Sequence, residues 1–206
     1  EATMQRRMWH QNDPGVIPNL LITGSGAPTG ILVYEGELLP QPFRGQMIHA
    51  EPGRNIVWAF PTKQVGAGYS GRITELARND VDRNYRPSDV SVAPDGSLFI
   101  ADWFDPVDCC HRTINDAGRI FRVAPPGHQY KIVAYDYQTP SGAVQALRSP
   151  NLSARYRAWT ALVSMQTNAR PILEEMASDP NPRMRARALW LLAALKDGTA
   201  LAVEMA

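Results

Sequence analysis

Long apolar runs are missing from this 206-residue chain. No stretch approaches the roughly 20 apolar residues of a membrane-spanning helix, and the opening EATMQRRMWHQNDPG has no apolar segment of the signal-peptide kind. A basic excess is missing as well. The net charge is +1, which argues against nucleic acid as a partner. Residues 1–138 hold 13 Lys and Arg against 15 Asp and Glu, and residues 139–206 hold 8 against 5. The Arg155/Arg157 and Arg183/Arg185/Arg187 clusters of the second part therefore read as solvated helix faces. Cysteine is scarce: the two present, Cys109 and Cys110, are neighbours and cannot staple distant segments. With His111 they form Cys-Cys-His, which lacks the Cys-x-x-Cys-His spacing of haem attachment. The glycine-rich stretch 24–30 has neither dinucleotide spacing nor a phosphate-binding lysine, and it leads into a strand instead of a helix, so it is a connecting loop.

Short alternating strands are what the first part does contain. Residues 30–34 (GILVY), 46–50 (QMIHA), 55–60 (NIVWAF) and 71–76 (GRITEL) are separated by Gly- and Pro-rich turns such as Pro52-Gly53. Four such strands make one antiparallel sheet. Residues 88–93 and 97–102 form a hairpin, because Pro94-Asp95-Gly96 supplies the fixed φ, the side-chain acceptor and the φ > 0 position of a tight reversal. A third strand, 119–123, follows a long polar excursion over 105–117, and residues 130–135 (YKIVAY) either complete this second sheet or lead out of it. The pattern is that of a β-propeller fragment of about two four-stranded antiparallel blades. Two blades close no ring and leave edges and faces uncovered, so the chain is expected to be a piece of a longer protein; its first residue is not Met.

Helical periodicity replaces alternation from Ser141. Pro150-Asn151 and Pro180-Asn181 stand 30 residues apart, and the match continues through Arg155/Arg185, Arg157/Arg187, Ala158/Ala188, Ala161/Leu191 and Leu162/Leu192. The expected helices are 152–165 and 182–195, each followed by a second (170–178, and 199 onward), with 144–147 ending a preceding unit. Helix pairs at this period form an α-solenoid of HEAT-like repeats. The domains expected are thus a partial propeller over 1–138 and helical repeats over 139–206. Trp58, Trp103, Trp159 and Trp190 fall where core packing would use them.

Chemistry concentrates in the loop after the hairpin. Asp102, Asp105, Asp108, Cys109, Cys110 and His111 offer ligands for Zn²⁺ or, with backbone carbonyls, Ca²⁺. Their spacing matches no established ligand pattern, and an Asp such as Asp102 at a strand end also serves to bond turn amides. His111 is the loop side chain suited to general-base work near neutral pH, or it bonds the loop backbone. Cys109-Cys110 is either a vicinal disulfide or a pair of thiols.

The segments GAPTGILVYEGELLP, FRGQMIHAEPGRNIVWAFP, YRPSDVSVAPDGSLFIADWFDP, GRIFRVAPPG, LRSPNLSARYRAWTAL and DPNPRMRARALWLLA together resemble the membrane-bound dehydrogenase family of planctomycete-type bacteria. In that family a propeller similar to the glucose/sorbosone dehydrogenases precedes HEAT-like repeats and often a c-type haem domain. The resemblance implies a periplasmic or otherwise exported, membrane-associated enzyme that oxidises sugars or related alcohols. It implies pyrroloquinoline quinone and Ca²⁺ as cofactors, with Arg86 in the place of a quinone-binding arginine. Alternatively Arg86 bonds backbone carbonyls or pairs with Asp89. His111 and Asp105 are the candidate catalytic pair, and Asp102, Asp105 and Asp108 the candidate metal ligands. A c-type haem domain downstream in the longer protein and a protein partner on the helical repeats are further implications. The alternative is a non-catalytic scaffold that binds carbohydrate or protein. In the family the loop more often carries Gly-Gly before its His, so the two thiols are a departure.

Overall fold

A computed structural model describes residues 19–24, 29–82, 84–104 and 117–205. The chain divides into two compact units. The first holds residues up to Ser91 together with Ser97–Pro126, and the second holds Val92–Gly96 with Gly127–Ala206.

The first unit is built of antiparallel strands. Strands β1 (Ile31–Val33), β2 (Met47–Glu51) and β3 (Ile56–Phe60) are neighbours in one sheet, which β6 (Thr74–Arg78) completes in the order β1-β2-β3-β6. The expected four-strand sheet is therefore present, although its last strand begins three residues later than alternation placed it. Strand β3 is buried along its whole length, as befits a central strand of Ile, Val, Trp, Ala and Phe covered on both faces. Edge strand β1 leaves Ile31 and Val33 exposed.

Between β3 and β6 the chain inserts a ribbon of β4 (Thr62–Val65) and β5 (Gly68–Gly71), which alternation over 71–76 had not separated. Val65 pairs with Gly68, so Gly66-Ala67 is a two-residue reversal with Gly66 at φ +59°. The expected Pro52-Gly53 turn is a 3-10 turn over Pro52–Arg54, and the left-handed residue is Asn55 (φ 57°).

The second sheet orders β7 (Pro87–Val92), β8 (Leu98–Asp102) and β9 (Arg119–Val123). The hairpin turn is as read, with Gly96 at φ +88° and its N–H donating to the Ala93 carbonyl at 2.9 Å. Residues 130–135 form no strand, and Tyr130, Ile132 and Val133 are exposed. The two sheets of this unit meet at Gly30, whose N–H donates to Ser88 O at 3.1 Å. A Cβ on Gly30 would fall 2.8 Å from Asp89 Cα, a contact that only glycine permits. Asn55 Nδ2 adds a second tie, donating to Tyr85 O at 2.7 Å.

The second unit is helical: α1 (Pro140–Leu147), α2 (Leu152–Met165), α3 (Arg170–Met176), α4 (Pro182–Ala194) and α5 (Thr199–Met205). Three of the starts have a side-chain cap. Thr139 caps α1, Asn151 caps α2 through Ala154 N–H, and Asn181 caps α4 through Arg183 N–H. The 30-residue correspondence recurs in the packing, because Ala158, Leu162, Ala188 and Leu192 are all fully buried in one core with Leu173 and Leu147. The arginines of the repeat hold the unit together. Arg187 Nη1 donates to Leu147 O at 2.9 Å, Arg185 Nη1 to Asp179 O at 2.9 Å, and Arg157 stacks over Tyr137 at 4.3 Å. Trp103 and Trp190 depart from the core reading: they are exposed, while Trp58 is buried. Among the described residues no helix is long and apolar enough to cross a membrane.

Candidate functional site

Antiparallel pairing brings three chain segments to one end of the second sheet. Asp102 closes β8 directly opposite Arg119, which opens β9. Arg86 precedes β7 at the same end, its carbonyl accepting from Trp103 N–H at 2.9 Å. The Asp102 carboxylate, with a fully buried side chain, ties these segments together. Its Oδ1 accepts from the amides of Arg86 (2.8 Å) and Phe104 (2.9 Å), and its Oδ2 accepts from Arg119 Nε at 2.7 Å. Arg119 Nη2 lies 2.6 Å from the same Oδ2 and 2.7 Å from Asp82 Oδ2. The guanidinium also sits over the rings of Phe104 and Phe121 at 4.8 and 5.2 Å. Phe104 has φ +51°, a left-handed conformation unusual for an aromatic residue, and the hydrogen bond its N–H donates to Asp102 Oδ1 holds it there.

The electrostatics follow from these contacts. The Asn84 amide and then Arg119 hold the Asp82 carboxyl below its ordinary range. Desolvation works against the Arg119 charge, but hydrogen bonds to Asp102 and Asp82 outweigh it and raise its pKa. Tyr85, packed edge-on against Phe121 at 5.7 Å, has its phenol pushed up to about 12, first by burial and then by the Asp102 charge.

Of the residues singled out from sequence, Arg86 and Asp102 are brought together. Asp105, Asp108, Cys109, Cys110 and His111 lie outside the described residues. The Arg86 guanidinium donates through Nη1 to the Tyr85 carbonyl at 3.1 Å; a guanidinium as such has the chemistry to hold a carboxylate or quinone oxygen. Asp102 does not suit a metal: both oxygens accept N–H donors, and Arg119 balances its charge. Among the described residues no group of three His, Cys, Asp or Glu side chains is gathered to hold an ion. His49 Nε2 lies 3.2 Å from Thr29 Oγ1, and His128 Nε2 lies 3.1 Å from Asp95 Oδ2 in the second unit.

Sequence reasoning overlooked Arg119 and Asp82. The signal for Arg119 was present: once 98–102 and 119–123 pair antiparallel across the excursion, Asp102 faces Arg119 as an opposite-charge cross-strand pair. Nothing in the spacing of Asp82 announces its contact.

No curated protein matches the chain, and no solved structure does. One family model matches residues 5–127, that of a domain of unknown function (DUF7133). This span is more than half of the chain and ends where the strand-built unit ends, so the chain belongs to the DUF7133 family.

Proposed function

We propose that this chain contributes blades of a β-propeller, followed by HEAT-like repeats, to an exported dehydrogenase that oxidises sugars or related alcohols with a quinone cofactor. The observation that carries the reading is the placement of Arg86. It stands at the end of a sheet where the Asp102 carboxylate and Arg119 fix the backbone around it, and in sequence the stretch holding Asp105 and His111 follows directly on Phe104. A bound quinone supplies a hydride acceptor. The chain's share is to hold a quinone carboxylate or carbonyl oxygen on the Arg86 guanidinium, and to take a hydroxyl proton on His111 or Asp105. No step is assigned to a metal at Asp102.

Titration of the 206-residue protein with pyrroloquinoline quinone tests this, followed by the quinone's absorbance. Saturable uptake that Arg86→Gln weakens at least tenfold supports the reading. No uptake, or equal uptake by the variant, overturns it. A second reading, a carbohydrate- or protein-binding scaffold, is favoured by the Arg86 bond to a backbone carbonyl and by the structural duty of Asp102. Quinone uptake independent of Arg86 would leave that reading in place.

A further inference from the structure

The ribbon of β4 and β5 carries a feature that the quinone reading does not use. Arg72 N–H donates to Pro61 O at 3.0 Å, Thr62 pairs with Gly71, and Lys63 pairs with Ser70. Side chains two apart on a strand share a face, and directly paired residues share it too. Pro61, Lys63, Ser70 and Arg72 therefore stand on one face of the ribbon. A shallow hollow, open to solvent, lies along this part of the ribbon. The hollow has a volume of about 330 Å³ and is lined by these four residues with Thr62 and Gly71.

Lys63, Ser70 and Arg72 are exposed. Among the described residues neither Lys63 nor Arg72 has a carboxylate partner. Elsewhere among the described residues Arg78, Arg119 and Arg148 are ion-paired and Arg185 and Arg187 are bonded to carbonyls, while Lys131 and Lys196 share the lack of a carboxylate partner but stand apart from any second cation on a common strand face. Two cations of different geometry thus flank one hydroxyl. Arg72 offers a planar fork, Lys63 a point charge, and Ser70 a short donor between them. Such a set matches a single oxyanion approached from two sides. The hollow is wider than a bare ion needs and open to solvent, so a ligand there is held by its charge and by one side against Pro61, not by enclosure.

We propose that this ribbon face binds a sugar-sized ligand bearing one oxyanion, a sugar acid or a sugar sulfate, through Arg72, Lys63 and Ser70. The site is independent of Arg86 and of the quinone reading. Amide chemical shifts of the 206-residue protein, titrated with glucuronate, glucose 6-sulfate, neutral glucose and inorganic sulfate, test it. Saturable shifts at residues 61–63 and 70–72 are expected with glucuronate or glucose 6-sulfate, weakening as salt rises. Lys63→Gln or Arg72→Gln should weaken binding about tenfold each, and Arg72→Lys should fall between wild type and Arg72→Gln. All three side chains are exposed, so unchanged amide dispersion outside the ribbon shows that the variants are folded. Three results overturn the proposal: no saturable shift with either anionic sugar, undiminished binding by the Lys63→Gln/Arg72→Gln double variant, or neutral glucose binding as well as the anionic sugars. Inorganic sulfate matching glucose 6-sulfate would overturn the sugar-sized part of the claim.

Discussion

The strand-built unit and the helical unit set arginine against different partners: carbonyls in most of the helical contacts, near and far in sequence, and carboxylates at the end of the second sheet. In the helical unit Arg185 reaches carbonyls five and six residues away, Pro180 and Asp179, and Arg148 pairs with Asp179 at the partly exposed start of a turn. In the strand unit Arg119 joins a fully buried carboxylate across the sheet and a second one, Asp82, from before the sheet begins. Order in the helices rests on one apolar core, local caps and several arginine contacts spread along the unit, so no single polar contact carries it. Order at the end of the second sheet rests on one buried charge and its partners, so it fails as a unit.

Removing Arg119 tests that difference most severely. Arg119→Ala leaves Asp102 buried with two amide donors and no balancing cation, which costs about 3–5 kcal/mol. Asp102→Asn/Arg119→Met, which removes both charges, should recover much of that loss. Urea unfolding followed by Tyr and Trp fluorescence measures both. If Arg119→Ala melts like the wild type, the buried pair is not what holds this end together.

Leu162→Ala and Leu192→Ala break or confirm the repeat. Both side chains are fully buried and stand 30 residues apart in equivalent positions. Each should cost about 3 kcal/mol, within the range for a buried leucine, and the two costs should agree within about 1 kcal/mol. Helix signal at 222 nm during denaturation gives the numbers. Unequal losses would mean that the sequence correspondence is not an equivalence in packing.

The contrast also explains what could be read in advance. The helices 152–165 and 182–195 were legible because cap, period and repeat are local signals, and the structure has them at Leu152–Met165 and Pro182–Ala194. The strand 119–123 was legible for the same reason, with identical bounds. The β4–β5 ribbon was missed because Thr62, Gln64, Tyr69 and Gly71 give no apolar alternation to detect. Its two-residue Gly66-Ala67 reversal was the available cue. Residues 130–135 alternate well enough but find no strand to pair with, and pairing is not a local property. At the candidate site, Asp102 as a bonder of turn amides was readable from its place at a strand end. Its partnership with Arg119 required knowing which strands are neighbours.

Alkaline pH separates the two units again. The Tyr85 phenol has its folded pKa raised from 10 to about 12. Its neutral form is the one the fold favours, so the stabilisation is complete below pH 10 and is lost as pH rises from 10 through 12. The loss is on the order of 2–3 kcal/mol, and Tyr85→Phe should abolish this part of the pH dependence. Acid acts on both units. Asp82 in the first unit and Asp136 and Asp179 in the second have lowered folded pKa values. Their stabilisation is present above the ordinary carboxylate pKa and is lost as pH falls through the lowered ones. Thermal melts at several pH values between 8 and 11.5 would contradict the Tyr85 assignment if wild type and Tyr85→Phe declined in parallel.

The smallest effect bears on how local the order of helices α2 and α4 is. Asn151 and Asn181 occupy the same repeat position, and each side-chain oxygen accepts one helix N–H, from Ala154 at 2.9 Å and from Arg183 at 3.0 Å. Loss of such a cap costs about 1 kcal/mol. Asn151 has a second duty within its unit, because its Nδ2 donates to the Val92 carbonyl at 2.6 Å, whereas no such bond accompanies Asn181 among the described residues. Asn181→Ala should therefore cost about 1 kcal/mol and Asn151→Ala roughly twice that, since a further hydrogen bond is lost. Asn→Asp at each position separates the duties. Aspartate keeps the cap acceptor, so Asn181→Asp should be close to neutral, while Asn151→Asp loses its donor and should cost as much as that one bond. Equal costs for Asn151→Ala and Asn181→Ala would show that the Val92 bond contributes nothing and that both positions act through the cap alone.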